Sequence, residues 1–213
     1  MFLSRLFLNP RSRQVWRDLS FPYELHRTLL RVFPDSTAGG PGRVLFRVES
    51  TRDPESIPLL VQSDNRPDWA QLGVGIGYLL SGDGQGEVNV ETKEVRLYFR
   101  LNQVLRFRLR ANPTKRNKEG MRLGILGETA QVAWLTRKGE AGGFRPIQVT
   151  VSDEGFCEVS REDWGKAPPI RMLSILFEGK LEVTDPAQFT QVVEDGVGSG
   201  KGFGFGLLSV APT

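Results

Sequence analysis

Val104–Ala111 alternates without a break: Leu105, Phe107, Leu109 and Ala111 fall on one side, Arg106, Arg108 and Arg110 on the other. A period of two is the mark of a strand with one buried and one solvated face. Guanidinium groups do not enter a core unpaired. The sheet that contains this strand must therefore be covered on one side only, as antiparallel sheets are in α+β proteins.

The flanking elements fit that constraint twice over. Residues 2–8 read as a strand closed by Asn9-Pro10, followed by a basic segment with Arg11, Arg13 and Arg17 around Trp16. Pro22 opens a helix, where its missing N–H costs nothing, and Leu25, Leu29, Val32 and Phe33 share one face of it. Strands follow at Val44–Val48 and residues 59–62, then a short helix at 69–72, a glycine-rich loop at 73–86 and a strand at 95–101. The order β-α-β-β-α-β is the ferredoxin-like split unit. Val104–Ala111 begins the same order again. A basic loop leads to a helix marked by Ala130, Ala133 and Trp134. Strands at 147–151 and 156–159 flank Ser152-Asp153-Glu154-Gly155, a hairpin signature, and Ile170–Val183 is the longest apolar run. Asp185-Pro186 is an N-cap with proline at the first helical position. Phe189, Val192 and Val193 give that helix its core face, Gly196 ends it, and residues 203–210 supply a last strand. The fold class is α+β, with two tandem ferredoxin-like (RRM-like) domains at 1–100 and 101–213 and helices on one face of each antiparallel sheet.

Composition narrows the chemistry. Cys157 and His26 are the single cysteine and the single histidine. No intramolecular disulfide or cysteine metal cluster can form, and a transition-metal site is not expected; no cofactor is implied. One cysteine suits the reducing cytoplasm. No run approaches the roughly 18 apolar residues of a membrane span, and residues 1–10 are too short and interrupted for a signal peptide. Lys+Arg 28 against Asp+Glu 25 is a mild excess, but it is unevenly placed. Between residues 96 and 122 nine basic side chains, among them Arg106, Arg108, Arg110, Lys115, Arg116 and Arg122, face one acid, Glu119. Such a concentration attracts phosphates.

Two further stretches carry chemistry. Gly196-Val197-Gly198-Ser199-Gly200-Lys201-Gly202-Phe203-Gly204-Phe205-Gly206 lets backbone approach a ligand closely, with free N–H groups and Lys201 suited to phosphate. Gly198, Gly200 and Gly202 are the positions of closest approach. The loop is neither a Walker loop nor a dinucleotide fingerprint, because a helix precedes it and a strand follows. The second stretch is the helix opened by Pro22. His26 titrates near neutrality, Tyr23 lies one turn away, and Arg27 and Arg31 continue the polar side. RNA carries its own nucleophile, the 2′-hydroxyl. Cleavage needs a base, an acid and stabilisation of the charged phosphorane, and no metal.

Asn9-Pro10, Arg17-Asp18-Leu19, the run from Pro22 to Leu29, Leu105-Arg106-Phe107-Arg108-Leu109-Arg110-Ala111-Asn112-Pro113, Leu176-Phe177-Glu178-Gly179 and Leu207-Leu208-Ser209-Val210 together resemble the CasE family. These are CRISPR-associated endoribonucleases of type I-E systems, in the repeat-associated RNA-binding superfamily. The family's loop, glycine-hydrophobic-glycine repeated after five residues, is matched by Gly196-Val197-Gly198 and Gly204-Phe205-Gly206. The resemblance spans nearly the whole chain. It implies binding of the precursor CRISPR RNA repeat hairpin, cleavage at its 3′ base to a 2′,3′-cyclic phosphate and a 5′-hydroxyl, and retention as a subunit with the other Cascade proteins. Tyr23 and His26 take the catalytic places, His26 in proton transfer and Tyr23 as complementary donor or positioning group; which of them activates the 2′-hydroxyl stays open. Family members also insert a basic hairpin into the RNA major groove. The counterpart at 148–171 offers Arg161, Lys166 and Arg171 but also Asp153, Glu154, Glu158, Glu162 and Asp163, a departure from the pattern. The other readings are a non-cleaving RNA-binding subunit on the same fold, and a ferredoxin-like scaffold without a nucleic-acid partner.

Overall fold

Alternate residues of β1 (Phe2–Leu8) enter one core: Ser4, Leu6 and Leu8 are buried and Arg5 is exposed. In the computed structural model, which describes residues 1–34, 40–73, 77–80, 89–159 and 170–213, the chain divides into two compact units. One includes Met1–Arg96 and Gly202–Gly204; the other comprises Leu97–Glu158, Ile170–Lys201 and Phe205–Thr213.

In the first unit β1 is followed by α1 (Arg13–Ser20), α2 (Pro22–Leu30), β2 (Val44–Val48), β3 (Ile57–Ser63), α3 (Ala70–Gly73) and β4 (Val90–Glu94). The sheet order is β2-β3-β1-β4, all antiparallel. The first and third strands are central, as the ferredoxin-like unit requires. Leu25 and Leu29 of α2 pack with Leu6, Leu8, Phe46 and Val61. Each fully buried leucine contributes about 1.5–3 kcal/mol relative to exposure. One polar cluster lies inside this core. Asp18 of α1, 2 % exposed, accepts hydrogen bonds through Oδ2 from Thr28 of α2 at 2.7 Å and from the Tyr78 hydroxyl at 2.9 Å. Burial and the Asp18 carboxylate push the Tyr78 phenol well above its ordinary range.

The second unit repeats the order. β5 (Val104–Ala111) leads through a two-stranded ribbon, β6 (Thr114–Arg116) with β7 (Arg122–Gly124), to α4 (Glu128–Ala141), β8 (Phe144–Val159), β9 (Ile170–Val183), α5 (Pro186–Asp195) and β10 (Leu208–Pro212). The sheet order is β10-β5-β9-β8, again with first and third strands central. Leu105, Phe107, Leu109 and Ala111 are buried with Phe177, Leu181 and Phe189. Asp185 caps α5, accepting from the backbone N–H of Ala187 and of Gln188. Both units are ferredoxin-like.

Three strand expectations are corrected. Residues 95–100 lie in no sheet. Their alternation reflects Leu97 and Phe99 packing against the second core, with Phe99 edge-on to Phe189 at 4.6 Å; the free edge of β1 is already taken by β4. The Ser152–Gly155 signature is not a reversal, because β8 runs straight through it. Gly155 takes a positive φ and donates its N–H to Asp153 Oδ1, an Asx bend within the strand. The last strand begins at Leu208, since Gly204 and Gly206, both at positive φ, keep the preceding segment out of the ladder. The loop at 73–86 falls largely outside the described residues, but Tyr78 and Leu79 at its centre are buried.

Tyr78→Phe removes one donor from Asp18 without changing shape. It should lower unfolding free energy by about 1–2 kcal/mol, read from the urea midpoint at constant m. An unchanged midpoint would show that the bond is dispensable.

Candidate active site

Pro22 stands at the first position of α2, and the carbonyl of Phe21 accepts from the N–H of Glu24 at 2.7 Å and of Leu25 at 3.3 Å. Leu25 and Leu29 turn inward, so Tyr23 and His26 flank the apolar stripe and are half-buried, while Arg27 is exposed. Thr28, bonded to Asp18, fixes the roll of the helix and with it the direction of the imidazole.

The His26 ring lies near parallel to Phe46 of β2, with centroids 6.0 Å apart and planes at 16°. Tyr23 is tilted against it at 6.2 Å, and Phe203 packs on Tyr23 at 5.9 Å. The neighbour of Phe203, Gly202, lies against the imidazole edge. A Cβ there would stand 3.4 Å from His26 Cδ2 and 3.7 Å from Nε2. Nδ1 is buried without a hydrogen-bond partner among the described residues. An unmade bond of that kind costs about 1–3 kcal/mol. Desolvation lowers the His26 pKa from its ordinary value, so the free protein holds a neutral imidazole at neutral pH. The Arg27 guanidinium beside it on the helix is engaged by Glu24 at 3.0 Å.

The second unit holds a basic cleft of about 450 Å³. Lys115, Arg116 and Arg122 come from the β6–β7 ribbon and Lys201 and Gly198 from the glycine loop. The ribbon turns at Asn117–Gly120, where Asn117 Oδ1 accepts from the N–H of Glu119 and of Met121. Gly198 sits at φ 82°, where a side chain is strained, and a Cβ there would also stand a tight 3.2 Å from the Trp134 ring. Sequence reasoning missed five residues that line this cleft: Asn112, Thr114, Trp134, Lys138 and Ser199. Lys138 lies one turn after Trp134 on α4, so helical spacing held the signal. Phe46, against His26, had none, because a contact between β2 and α2 is not a local pattern.

The three arginines of β5 do not join that cleft. Arg106 donates to the carbonyl of Pro212, Arg108 pairs with Glu178 at 2.7 Å, and Arg110 grips Glu154 through two nitrogens at 2.7 and 2.8 Å. The scarcity of acids between residues 96 and 122 is thus corrected across the sheet, from β8 and β9. Arg106 and Arg108 line a separate depression with Lys180 and Glu178. Arg31 is exposed on the first unit and Gly200 packs near Met172 and Phe205; Arg161 lies outside the described residues. Among the described residues no three His, Cys, Asp or Glu side chains are grouped to hold a metal ion, and no helix is long and apolar enough to cross a membrane.

A chain built of two ferredoxin-like units in this order has known relatives. The family described as CRISPR associated protein matches residues 1–212, and this chain belongs to it. The chain is 40% identical to the CRISPR-associated endoribonuclease Cse3 of Thermus thermophilus over 223 residues, covering 100% of both. It is 29% identical to the CRISPR system Cascade subunit CasE of Escherichia coli, again covering 100% of both. The structure of Thermus thermophilus Cse3 bound to an RNA representing a pre-cleavage complex matches with a TM-score of 0.85 at 39% identity, covering 99% of this chain and 98% of that one.

A single histidine makes the site directly observable. An NMR titration of the His26 ring protons should show a midpoint below the ordinary 6.5. A midpoint at or above that value would mean that the ring is solvated rather than desolvated.

Proposed function

We propose that this protein is an endoribonuclease that processes precursor CRISPR RNA at the repeat hairpin, without a metal ion, and remains on its product as a Cascade subunit in the cytoplasm. The 2′-oxygen attacks the adjacent phosphorus, the P–O5′ bond breaks, and the products are a 2′,3′-cyclic phosphate and a 5′-hydroxyl. The observation that carries this reading is His26: half-buried, neutral, with one nitrogen unpaired and its other edge bordered by a glycine. A neutral imidazole suits removal of the 2′-hydroxyl proton. Tyr23 is the complementary group, donating to the leaving 5′-oxygen or orienting the phosphate. The likeness to Cse3 and CasE supports the substrate class and the assembly.

RNA contact is assigned to Arg27 and Arg31 beside the helix, and to Lys115, Arg116, Arg122, Lys201 and Gly198 at the basic cleft. Gly200 and Gly202 in the loop, and Arg106, Arg108, Arg110 and Arg161, belong to the same assignment. Arg108 and Arg110 contribute less per residue than unpaired cations would, because Glu178 and Glu154 already neutralise them.

His26→Ala should slow single-turnover cleavage of a repeat hairpin by about 10²–10⁴-fold while leaving hairpin affinity within a few-fold, and wild-type cleavage should persist in EDTA. Wild-type rates in the variant would remove His26 from the chemistry. Loss of cutting in EDTA, restored by Mg²⁺, would overturn metal independence, and tight binding without cutting would favour a non-cleaving subunit.

Gly202→Ala tests the open edge of the ring. Its added methyl would meet His26 only at ordinary contact distance, and Gly202 is not at positive φ. Thermal stability should stay near wild type while cleavage falls at least several-fold. Full activity in a folded variant would show that substrate does not approach along this edge.

A further inference from the structure

The basic cleft of the second unit, assigned above to RNA, has two properties that together narrow which part of the polymer can fill it. The first is charge. Lys115, Arg116, Arg122, Lys138 and Lys201 converge from the β6–β7 ribbon, α4 and the glycine loop, and no carboxylate lines the cleft among the described residues. A polyanion bound there releases the counter-ions that otherwise screen these groups, so its affinity depends steeply on salt.

The second is an unsatisfied amide. Asn112 also lines the cleft. It is 6 % exposed, and its Oδ1 has no hydrogen-bond partner among the described residues. An asparagine side chain presents an acceptor at one end and two donors at the other. A ribose 2′-hydroxyl both donates and accepts, so it complements either end, and deoxyribose lacks it. Trp134 does not offer a stacking platform. It is 5 % exposed, lies against Phe177 at 6.1 Å and 16°, and has the Lys138 ammonium 5.8 Å from its ring. The cleft is thus built to take a sugar–phosphate chain rather than a base.

We propose that this cleft is a sugar–phosphate subsite for RNA, in which Lys138 contacts a backbone phosphate and Asn112 recognises the 2′-hydroxyl of a neighbouring ribose. The assignment rests on the RNA-cleaving reading for the identity of the polymer, but not on His26 or on where the cut falls. Ser199, on the loop that faces Lys138 across the cleft, adds a hydroxyl for the same phosphate. The subsite makes RNA selectivity independent of the need for a 2′-hydroxyl at the cut itself.

The test uses the full chain and the repeat RNA hairpin made non-cleavable by a single 2′-deoxy substitution at the cut nucleotide. The all-deoxy hairpin of the same sequence is the comparator, and both are titrated over a salt series. Wild type should bind the RNA more tightly. Lys138→Gln should weaken RNA and DNA alike, by about five- to tenfold near 0.1 M salt, and reduce the slope of log affinity against log salt by about 0.7–0.9. Asn112→Ala should lower the RNA-to-DNA affinity ratio about fivefold with the slope unchanged. Should Asn112→Ala fail to fold, a scan of single 2′-deoxy substitutions against wild type replaces it, with one position away from the cut expected to lose affinity. Lys138→Gln with wild-type affinity and slope would overturn the phosphate contact. An unchanged ratio in folded Asn112→Ala, or a flat deoxy scan, would overturn the 2′-hydroxyl contact. Failure of wild type to bind any repeat RNA would overturn the RNA reading itself.

Discussion

Asp18 is the joint on which the first unit depends. Its Oδ2 takes a hydrogen bond from Thr28 on α2 and another from Tyr78, so two successive helices and a segment sixty residues on are tied at one buried oxygen. The carboxylate is nearly inaccessible, and a buried acceptor of that kind is tolerated only when its donors are in place. That makes the cluster all-or-none. Thr28 is two residues from His26 and five from Tyr23, close enough that the rotation of α2 about its axis is settled by one hydroxyl. Apolar burial of Leu25 and Leu29 alone would leave that rotation loosely defined, because hydrophobic contact is non-directional.

The second unit treats positive charge in two opposite ways. On β5 the guanidinium groups of Arg108 and Arg110 meet carboxylates from β9 and β8, and Glu154 is also held by the Ser174 hydroxyl at 2.6 Å. These pairs knit β5, β9 and β8 together and leave little net field. In the cleft five cations line the same walls with no acid among them. Mutual repulsion there works against folding, and a bound anion would relieve it. Positive charge gathered at such density favours binding an anion more than it favours stability.

The fold was legible because its signals are local and periodic. Pro22 starting α2, Asp185-Pro186 starting α5 and the alternation of Val104–Ala111 each state their element within ten residues, and each element is where its signal placed it. The misreadings arose where a local signal has two physical causes. Alternation over 95–101 marks a segment lying on a core as well as a strand in a sheet. Ser152-Asp153-Glu154-Gly155 marks an Asx bend as well as a hairpin. The site divides along the same line. His26 and Tyr23 were visible as neighbours on one helix. Phe46, which stacks on His26, and Asn112, whose unpaired oxygen singles it out, were not, since both acquire their meaning from partners that only folding brings near.

The surroundings of His26 carry one more consequence. Burial lowers its pKa, and Phe46 and Gly202 offer it neither charge nor a hydrogen bond. The ring is therefore tuned by desolvation alone while the site is empty. A phosphodiester brought to its open edge would act in the opposite direction, because an adjacent negative charge favours the imidazolium. A base that starts neutral and becomes easier to protonate as its substrate arrives can accept a proton in the attack and hold it as the phosphorane charge develops. A ring set among cations would lack the second property, since their field opposes the imidazolium. Ion-pairing Arg27 to Glu24 keeps that guanidinium from imposing such a field on the ring.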